Sequence, residues 1–401
     1  MRLPVVFILV SVMIDAMGVG LIIPVMPDLI REITGGDLAN AALWGGVLTT
    51  VFAVMQFLFG PVMGNLSDRF GRRPVLLITL FVMAADYVVM ALAGSIWLLF
   101  LGRVVGGITA ATQSTANAYM ADISDPDKKA QNFGLVGAAF GVGFVIGPLL
   151  GGVLGEWGTR APFWAAAVLA GANAVLGYFV LTETVTDAIR RPFDWRRANP
   201  FGAFKSLRAL PGIGRLFAVF FLYQVAFFVY PAVWAYFGHA RFGWNAGMIG
   251  LSLGLFGIMM AIVQGGVIRI ILRKLGERGT VIYGLVFDVF AFGALAFVTS
   301  GTVALILTPL TALGAVISPA IQGMMSKAVG DKRQGELQGA LTSVGAIAMI
   351  VSPLLMTYTF AEFTREDASV YFPGAPFLVA LALIVLALCG FLLPRRKPVA
   401  A

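Results

Sequence analysis

The chain has 401 residues, of which 59% are hydrophobic and only 12% charged, and its formal net charge is +8. Soluble domains carry about 25% charged residues, so this composition excludes an ordinary soluble globule. One cysteine, Cys389, and one histidine, His239, exclude a disulfide framework, a Cys-based metal site and a His cluster. The basic residues are scattered over short breaks and read as membrane topology signals, not as a nucleic-acid surface.

Apolar runs of a length that crosses a hydrocarbon core of about 30 Å recur along the whole chain. They predict twelve spans near 4–28, 41–66, 74–94, 96–120, 131–155, 161–182, 213–238, 246–272, 279–299, 302–326, 336–361 and 372–393. The first run contains Asp15 and lacks a small-residue cleavage site, so it reads as an uncleaved span. Of the 28 Lys and Arg residues, 23 fall in the N-terminus, the loops after even spans and the C-terminus. The opposite loops hold Arg31, Arg160, Arg241 and Arg365, which predicts that both termini are cytoplasmic.

The longest polar break, 183–212, carries Arg190, Arg191, Arg196, Arg197, Lys205 and Arg208. It divides the chain into a bundle over 1–182, a cytoplasmic linker, a bundle over 213–394 and a tail over 395–401. Several features recur at one offset of 205 residues. Arg69-Phe70-Gly71-Arg72-Arg73 is echoed by Lys274-Leu275-Gly276-Glu277-Arg278, Pro148-Leu149-Leu150 by Pro353-Leu354-Leu355, and Lys128 by Arg333. Repeats of an even number of helices run parallel, related by an axis along the membrane normal, as in secondary transporters.

Four ionisable residues lie within spans and away from their edges: Asp15, Asp86, Arg103 and Asp288. Each costs about 2.5–3.5 kcal/mol at a helix centre, so it requires a partner or a wet cavity. One reading has Asp15 or Asp86 neutralising Arg103 as a structural pair. The other is proton coupling, because burial favours the protonated carboxyl and a nearby cation favours the carboxylate. Asp288 has no Lys or Arg in its own span, which makes it the leading coupling candidate. In the fifth span, glycines at 137, 141, 143, 147, 151 and 152 offer a smooth face for close helix contact. Gln56, Gln113, Asn117, Gln224, Gln264 and Gln322 are candidate substrate-cavity residues, each with the alternative of bonding a neighbouring helix. The aromatic seventh span, with Phe227, Phe228, Tyr230 and Trp234, reads as packing surface before binding wall.

The stretch Gly64-Asn65-Leu66-Ser67-Asp68-Arg69-Phe70-Gly71-Arg72-Arg73-Pro74 resembles the signature loop of the major facilitator superfamily. More narrowly, Asp15–Gly20 with Pro24–Pro27, Asp86-Tyr87, Leu101-Gly102-Arg103 and Gly107-Ile108-Thr109 resemble TetA-type tetracycline/proton antiporters. Gly147-Pro148 with Gly151-Gly152, Arg241–Asn245, Asp288 and Gln322-Gly323 fit the same family. The resemblance implies an all-α membrane protein of the major facilitator fold, with twelve transmembrane helices in two six-helix bundles. It implies a proton-coupled exporter of an amphiphilic drug in the inner membrane, acting as a monomer, not an enzyme. No cofactor is implied beyond the coupling protons; magnesium enters only within a tetracycline complex.

The resemblance also assigns roles. Gly64, Asp68, Arg69, Gly71, Arg72 and Arg73 become a cytoplasmic latch between the halves. Gly143, Gly147, Pro148, Gly151 and Gly152 become an antiporter motif, and the acids of the third and ninth spans handle substrate and protons. Where some tetracycline transporters carry a His in the eighth span, this chain has Met260, so coupling rests on carboxylates. Export of a metabolite, sugar or lipid by the same cycle is the alternative within the class, and a non-transporting membrane sensor is the alternative outside it.

Overall fold

The computed structural model describes residues 3–110, 112–125, 128–187, 190–195, 198–202, 213–330 and 333–393. Arg196, Arg197, Lys205, Arg208 and the tail over 395–401 lie outside the described residues. The first six membrane helices are α1 (Leu3–Thr34), α2 (Leu38–Phe70), α3 (Arg72–Ala91), α4 (Ile96–Ile123), α5 (Gln131–Gly155) and α6 (Ala161–Val180). After the linker come α7 (Gly214–Phe242), a 52-residue helix Ala246–Phe297, then α10 (Gly301–Val329), α11 (Gln334–Glu362) and α12 (Ala375–Leu392). These are eleven helices long and apolar enough to cross a membrane among the described residues.

The 52-residue helix extends about 78 Å at 1.5 Å per residue, more than twice a hydrocarbon core. Gly276 breaks it, with φ 65° and ψ 176°, a conformation that favours glycine. Residues 246–275 are therefore α8 and residues 277–297 are α9, a division compatible with the twelve spans expected from hydropathy. A second departure from the expected boundaries lies in α1. A 3-10 turn at Ile23–Val25, beside Pro24 and Pro27, bends the first span without ending it, so α1 runs on to Thr34. Elsewhere short polar residues start the helices: Asp37, Ser95, Asn245 and Ser300 each accept a backbone N–H as N-cap.

Within the first bundle α1 packs on α5 and α6, α3 on α4 and α6, and α2 on α4. Within the second, α7 packs on α11 and α12, α9 on α10 and α12, and α8 on α10. The bundles meet through α2 with α11 and α5 with α8, joined by contacts of α7 with α1 and α2. Lipid tails are as apolar as Leu, so helices associate by close packing and not by burying apolar surface from water. Accordingly Phe290, Phe179 and Val168 stay exposed on the outer surface. Small residues line the seams instead. Cβ atoms at Gly143, Gly147 and Gly151 of α5 would meet the backbone of α1 at Met13, Met17 and Leu21.

Candidate functional site

Two faces frame the site. The basic face carries the Arg69–Arg73 loop and the linker; the distal face carries Arg31, Arg160, Arg241 and Arg365. Toward the distal face the bundles close together. Gly45 of α2 makes room for the Tyr236 hydroxyl of α7, and Gly46 for Thr357 of α11. Gly152 of α5 lies against Ala246 and Gly250 of α8, and Gly250 against the Pro148 carbonyl. The stretch expected to be an antiporter motif thus touches both neighbours: Gly143, Gly147, Gly151 and the Pro148 ring fit α5 to α1, whereas Gly152 and the Pro148 carbonyl meet the other bundle. At the basic end of α2, a Cβ added at Gly64 would meet nothing within 4 Å among the described residues.

Beneath the closed distal seam lies a cavity of about 170 Å³ between the bundles. Its wall is apolar, with Phe52, Phe144, Phe228 and Met349 among its residues, and its one charged residue is Arg103. Thr49 and Tyr236 are its hydroxyl-bearing residues. The Arg103 guanidinium stands over the Phe52 ring, 5.4 Å from the centroid. Its buried Nε has no hydrogen-bond partner among the described residues, and neither has the buried Asp15 Oδ1. Both are costly in an apolar interior unless a ligand, a proton or water meets them.

Asp86 is buried on α3, and its two carboxylate oxygens rest against α4. A Cβ at Gly102 would stand 2.9 Å from Oδ1, and one at Gly106 2.8 Å from Oδ2. The glycines of the fourth span therefore make the recess that holds this acid. Asp86 and Arg103 feel each other's charge without an ion pair in contact, and Asp15 joins the same field through Tyr87. Among the described residues neither acid makes a direct ion pair with Arg103, so Asp86 offsets its charge through the field alone. Asp288 on α9 is buried too, and its carboxylate packs against Gly314 in the 3-10 turn Ala312–Val316 of α10. Its electrostatic neighbours among the described residues are the phenols Tyr223, Tyr230 and Tyr283.

Of the residues expected to line a substrate cavity, Gln56, Asn117, Gln224, Gln264 and Gln322 are not among the described residues of this wall. Gln322 donates to Ser318 of its own helix at 3.0 Å. Gln264 is exposed on a π-helical turn, Val263–Val267, which rotates it out of the α-helical register. Gln56, Asn117 and Gln224 are half-buried outside the cavity wall, and the Gln113 side chain lies outside the described residues. Packing explains the aromatic seventh span. Trp234 is fully buried and donates to Ser252 Oγ at 2.8 Å, Tyr230 stacks on Phe256 at 5.0 Å, and only Phe228 of that quartet reaches the cavity.

The loop at the basic face is held within its own half. Arg72 pairs with Asp68 at 2.5 Å and with Asp122 of α4 at 3.3 Å, and donates to Ser67 Oγ at 2.6 Å. Glu183, at the start of the linker, accepts the backbone N–H groups of Arg72 and Arg73. Gly71, at φ 110°, lies so close to Glu183 that a Cβ would collide with it. Arg73 donates to the Tyr178 carbonyl, and Arg190 of the linker donates to the Arg69 carbonyl. Among the described residues these partners belong to the first bundle and the linker, so the expected latch across the halves is not engaged in this conformation.

Against known proteins, the profile of the Major Facilitator Superfamily matches residues 8–353. The class C tetracycline resistance protein of Escherichia coli is 44% identical over 354 residues, covering 88% of this chain and 89% of its own. The class G tetracycline resistance protein of Vibrio anguillarum is 41% identical over 363 residues, 90% of this chain and 91% of its own. Among solved structures, the human organic anion transporter MFSD10 (TETRAN) superposes with a TM-score of 0.70 at 25% identity. That likeness covers 97% of this chain and 99% of the other.

Proposed function

Because this chain belongs to the Major Facilitator Superfamily, we propose that it exports a small amphiphilic drug, tetracycline first, in exchange for protons. The observation that carries this reading is the cavity between the bundles, apolar except for Thr49, Tyr236 and one guanidinium without a full set of partners. Such a wall suits a flat, largely apolar molecule with oxygen acceptors along one edge, as tetracycline has, better than a sugar, which would need many polar partners. Magnesium belongs to this reading only as part of a tetracycline complex, and no resident cofactor is invoked.

Protons are carried by carboxyls that stand clear of direct ion pairs. Asp288, enclosed by phenols, is neutral when protonated and has no cation beside it among the described residues to replace the proton, so it loads and unloads as the bundles move. Asp86, with Asp15 beside it, shares the field of Arg103, so protonation there changes how freely Arg103 meets the drug. In this reading the basic face is cytoplasmic, with both termini on that side of the inner membrane, and one chain is the working unit. The bundles over 1–182 and 213–394 rock about the cavity, with 183–212 as their linker. The present conformation is then closed outward, with the loop of Gly64, Asp68, Arg69, Gly71, Arg72 and Arg73 waiting to engage when the inner face closes.

The test uses inside-out vesicles with an acid interior, following gradient collapse and labelled tetracycline uptake together. The reading requires tetracycline-dependent proton leak and accumulation, both lost in Asp288→Asn. Gradient collapse by another drug or metabolite but not by tetracycline would replace the substrate and leave the exchange standing.

A further inference from the structure

Polar groups bridge the two bundles at the distal face in two separate places. The first joins α1 to α7. His239 Nε2 lies 3.2 Å from Asp28 Oδ1 and 3.1 Å from Arg31 Nη1. With a proton on Nε2 the ring donates to Asp28; without one it accepts from Arg31. Either way, one bond crosses between the bundles. The charged neighbours on this face are otherwise engaged: Glu32 accepts from Thr159 and Arg160 of its own bundle, and Arg241 donates to the Val298 carbonyl.

The second bridge joins α5 to α8. Glu156, just past the end of α5, accepts the Gly247 N–H at 2.8 Å. Gly247 lies in the first turn of α8, where Asn245 already caps Met248 N at 3.0 Å. A carboxylate from one bundle therefore satisfies a free N–H of the other and sits at the positive end of its helix dipole. A neutral bond from Thr50 Oγ1 to the Ile350 carbonyl, 3.2 Å long, joins α2 to α11.

We propose that Asp28–His239–Arg31 and Glu156–Gly247 are the distal gate of the transport cycle. These two clasps hold the outer mouth shut while the cavity faces the basic side, and both must part for cargo to leave. The proposal rests on the alternating-access reading above but concerns residues outside the cavity and the buried acids. Because the clasps lie on different helix pairs with no shared partner, their losses add.

The experiment uses the full chain with Cys389→Ser, reconstituted in lipid nanodiscs, with spin labels at Gly94→Cys and Ser369→Cys in distal loops of the two bundles. His239→Ala and Glu156→Ala each raise the outward-open population about threefold, and together about tenfold. His239→Gln, which keeps a donor and an acceptor, leaves the mouth shut. Glu32→Gln removes a neighbouring charge that bridges nothing between bundles, and it leaves the distance distribution unchanged. A folded double variant with the wild-type distances overturns the gate. So does opening by Glu32→Gln equal to that of His239→Ala, which would mark a general surface-charge effect. If either alanine variant fails to fold, the remaining single variant and His239→Gln still decide the matter. Failure of the transport reading shows separately, as wild-type vesicles without drug-dependent proton leak.

Discussion

The two bundles repeat one design with different charges, and the difference shows which parts of the repeat are scaffold. At the basic face Arg72 of α3 pairs with Asp122 of α4 at 3.3 Å. At the same 205-residue offset, Glu277 of α9 pairs with Lys327 of α10 at 2.8 Å, so the bridge survives with its polarity reversed. Deeper in the membrane, Asp86 and Asp288 both lie on the third helix of their bundle, with the carboxylate recessed against glycine of the fourth. There the sign is kept and the surroundings change. Asp86 has the field of Arg103; among the described residues Asp288 has phenols beside it. A surface bridge needs opposite charges in either order, whereas the proposed proton coupling needs a titratable group at depth, and both bundles keep a carboxyl there.

The largest expected effect tests that contrast. Asp288→Asn lowers gradient-driven drug uptake about a hundredfold or more, because a coupling carboxyl has no substitute in the second bundle. Asp86→Asn lowers it by a smaller factor, about tenfold, if Asp15 still serves the same field. Thermal unfolding separates the two acids more sharply. Asp86→Asn leaves Arg103 without its nearest opposite charge and lowers Tm, and Asp86→Asn/Arg103→Gln restores much of the loss. Asp288→Asn strands no cation, so Tm holds or rises. Equal Tm losses in the two single variants would show that Asp288 has a cationic partner and would end the contrast.

Much of this was legible from residues alone, for reasons that also explain what was not. Charges inside apolar runs are expensive, so Asp15, Asp86, Arg103 and Asp288 declare themselves by type and position. The glycine steps of α5 likewise predict a contact face; α1 fills it at Gly143, Gly147 and Gly151 and α8 at Gly152, whereas Cβ atoms at Gly137 and Gly141 would meet nothing within 4 Å. The cavity wall could not be read. In a membrane helix the lipid face and the packed face are both apolar, so periodicity does not say which way Phe52, Tyr236 or Met349 points. Glutamines looked like cavity residues for their polarity alone, yet Gln322 bonds within its helix and Gln264 is turned by a π-helical register change. A signal for the wall did exist in Gly45, whose missing side chain admits Tyr236, but a lone glycine names no partner. His239 and Asp28 are 211 positions apart in the sequence, and only the docking of the bundles brings them together.

The basic-face bridges give the next effect in size. Arg72 and Asp122 are only 13% and 20% exposed, and Arg72 also holds Asp68 and Ser67. Arg72→Gln therefore breaks a partly shielded network and costs about 1–3 kcal/mol, read as a lower Tm of the purified protein. Arg72→Glu is worse, because it sets a second acid against Asp68 and Asp122. If the repeat preserves the bridge and not its sign, the mirrored triple variant Asp68→Arg/Arg72→Glu/Asp122→Lys recovers stability toward the wild type. It reproduces the second bundle's order of Arg273, Glu277 and Lys327. A triple variant no more stable than Arg72→Glu would mean the polarity of the first bundle is fixed by something else, with Glu183 the first suspect.

The smallest effect belongs to the other bridge. Lys327 is 74% exposed and its ammonium is strongly hydrated, so holding it against Glu277 gains little over leaving it in water. Lys327→Gln is expected to cost about 0–1 kcal/mol, and salt removes even that, since exposed charges are screened within about 10 Å at 0.1 M. Stability measured at two ionic strengths distinguishes the halves: the loss from Arg72→Gln persists at high salt, and the loss from Lys327→Gln disappears. A salt-resistant loss in Lys327→Gln would mean that this residue, which here faces water, is buried in another conformation of the cycle. Lys327 and Arg72 would then meet partners across the closing inner face, and the reversed polarity of the bridges would set opposite charges against each other there.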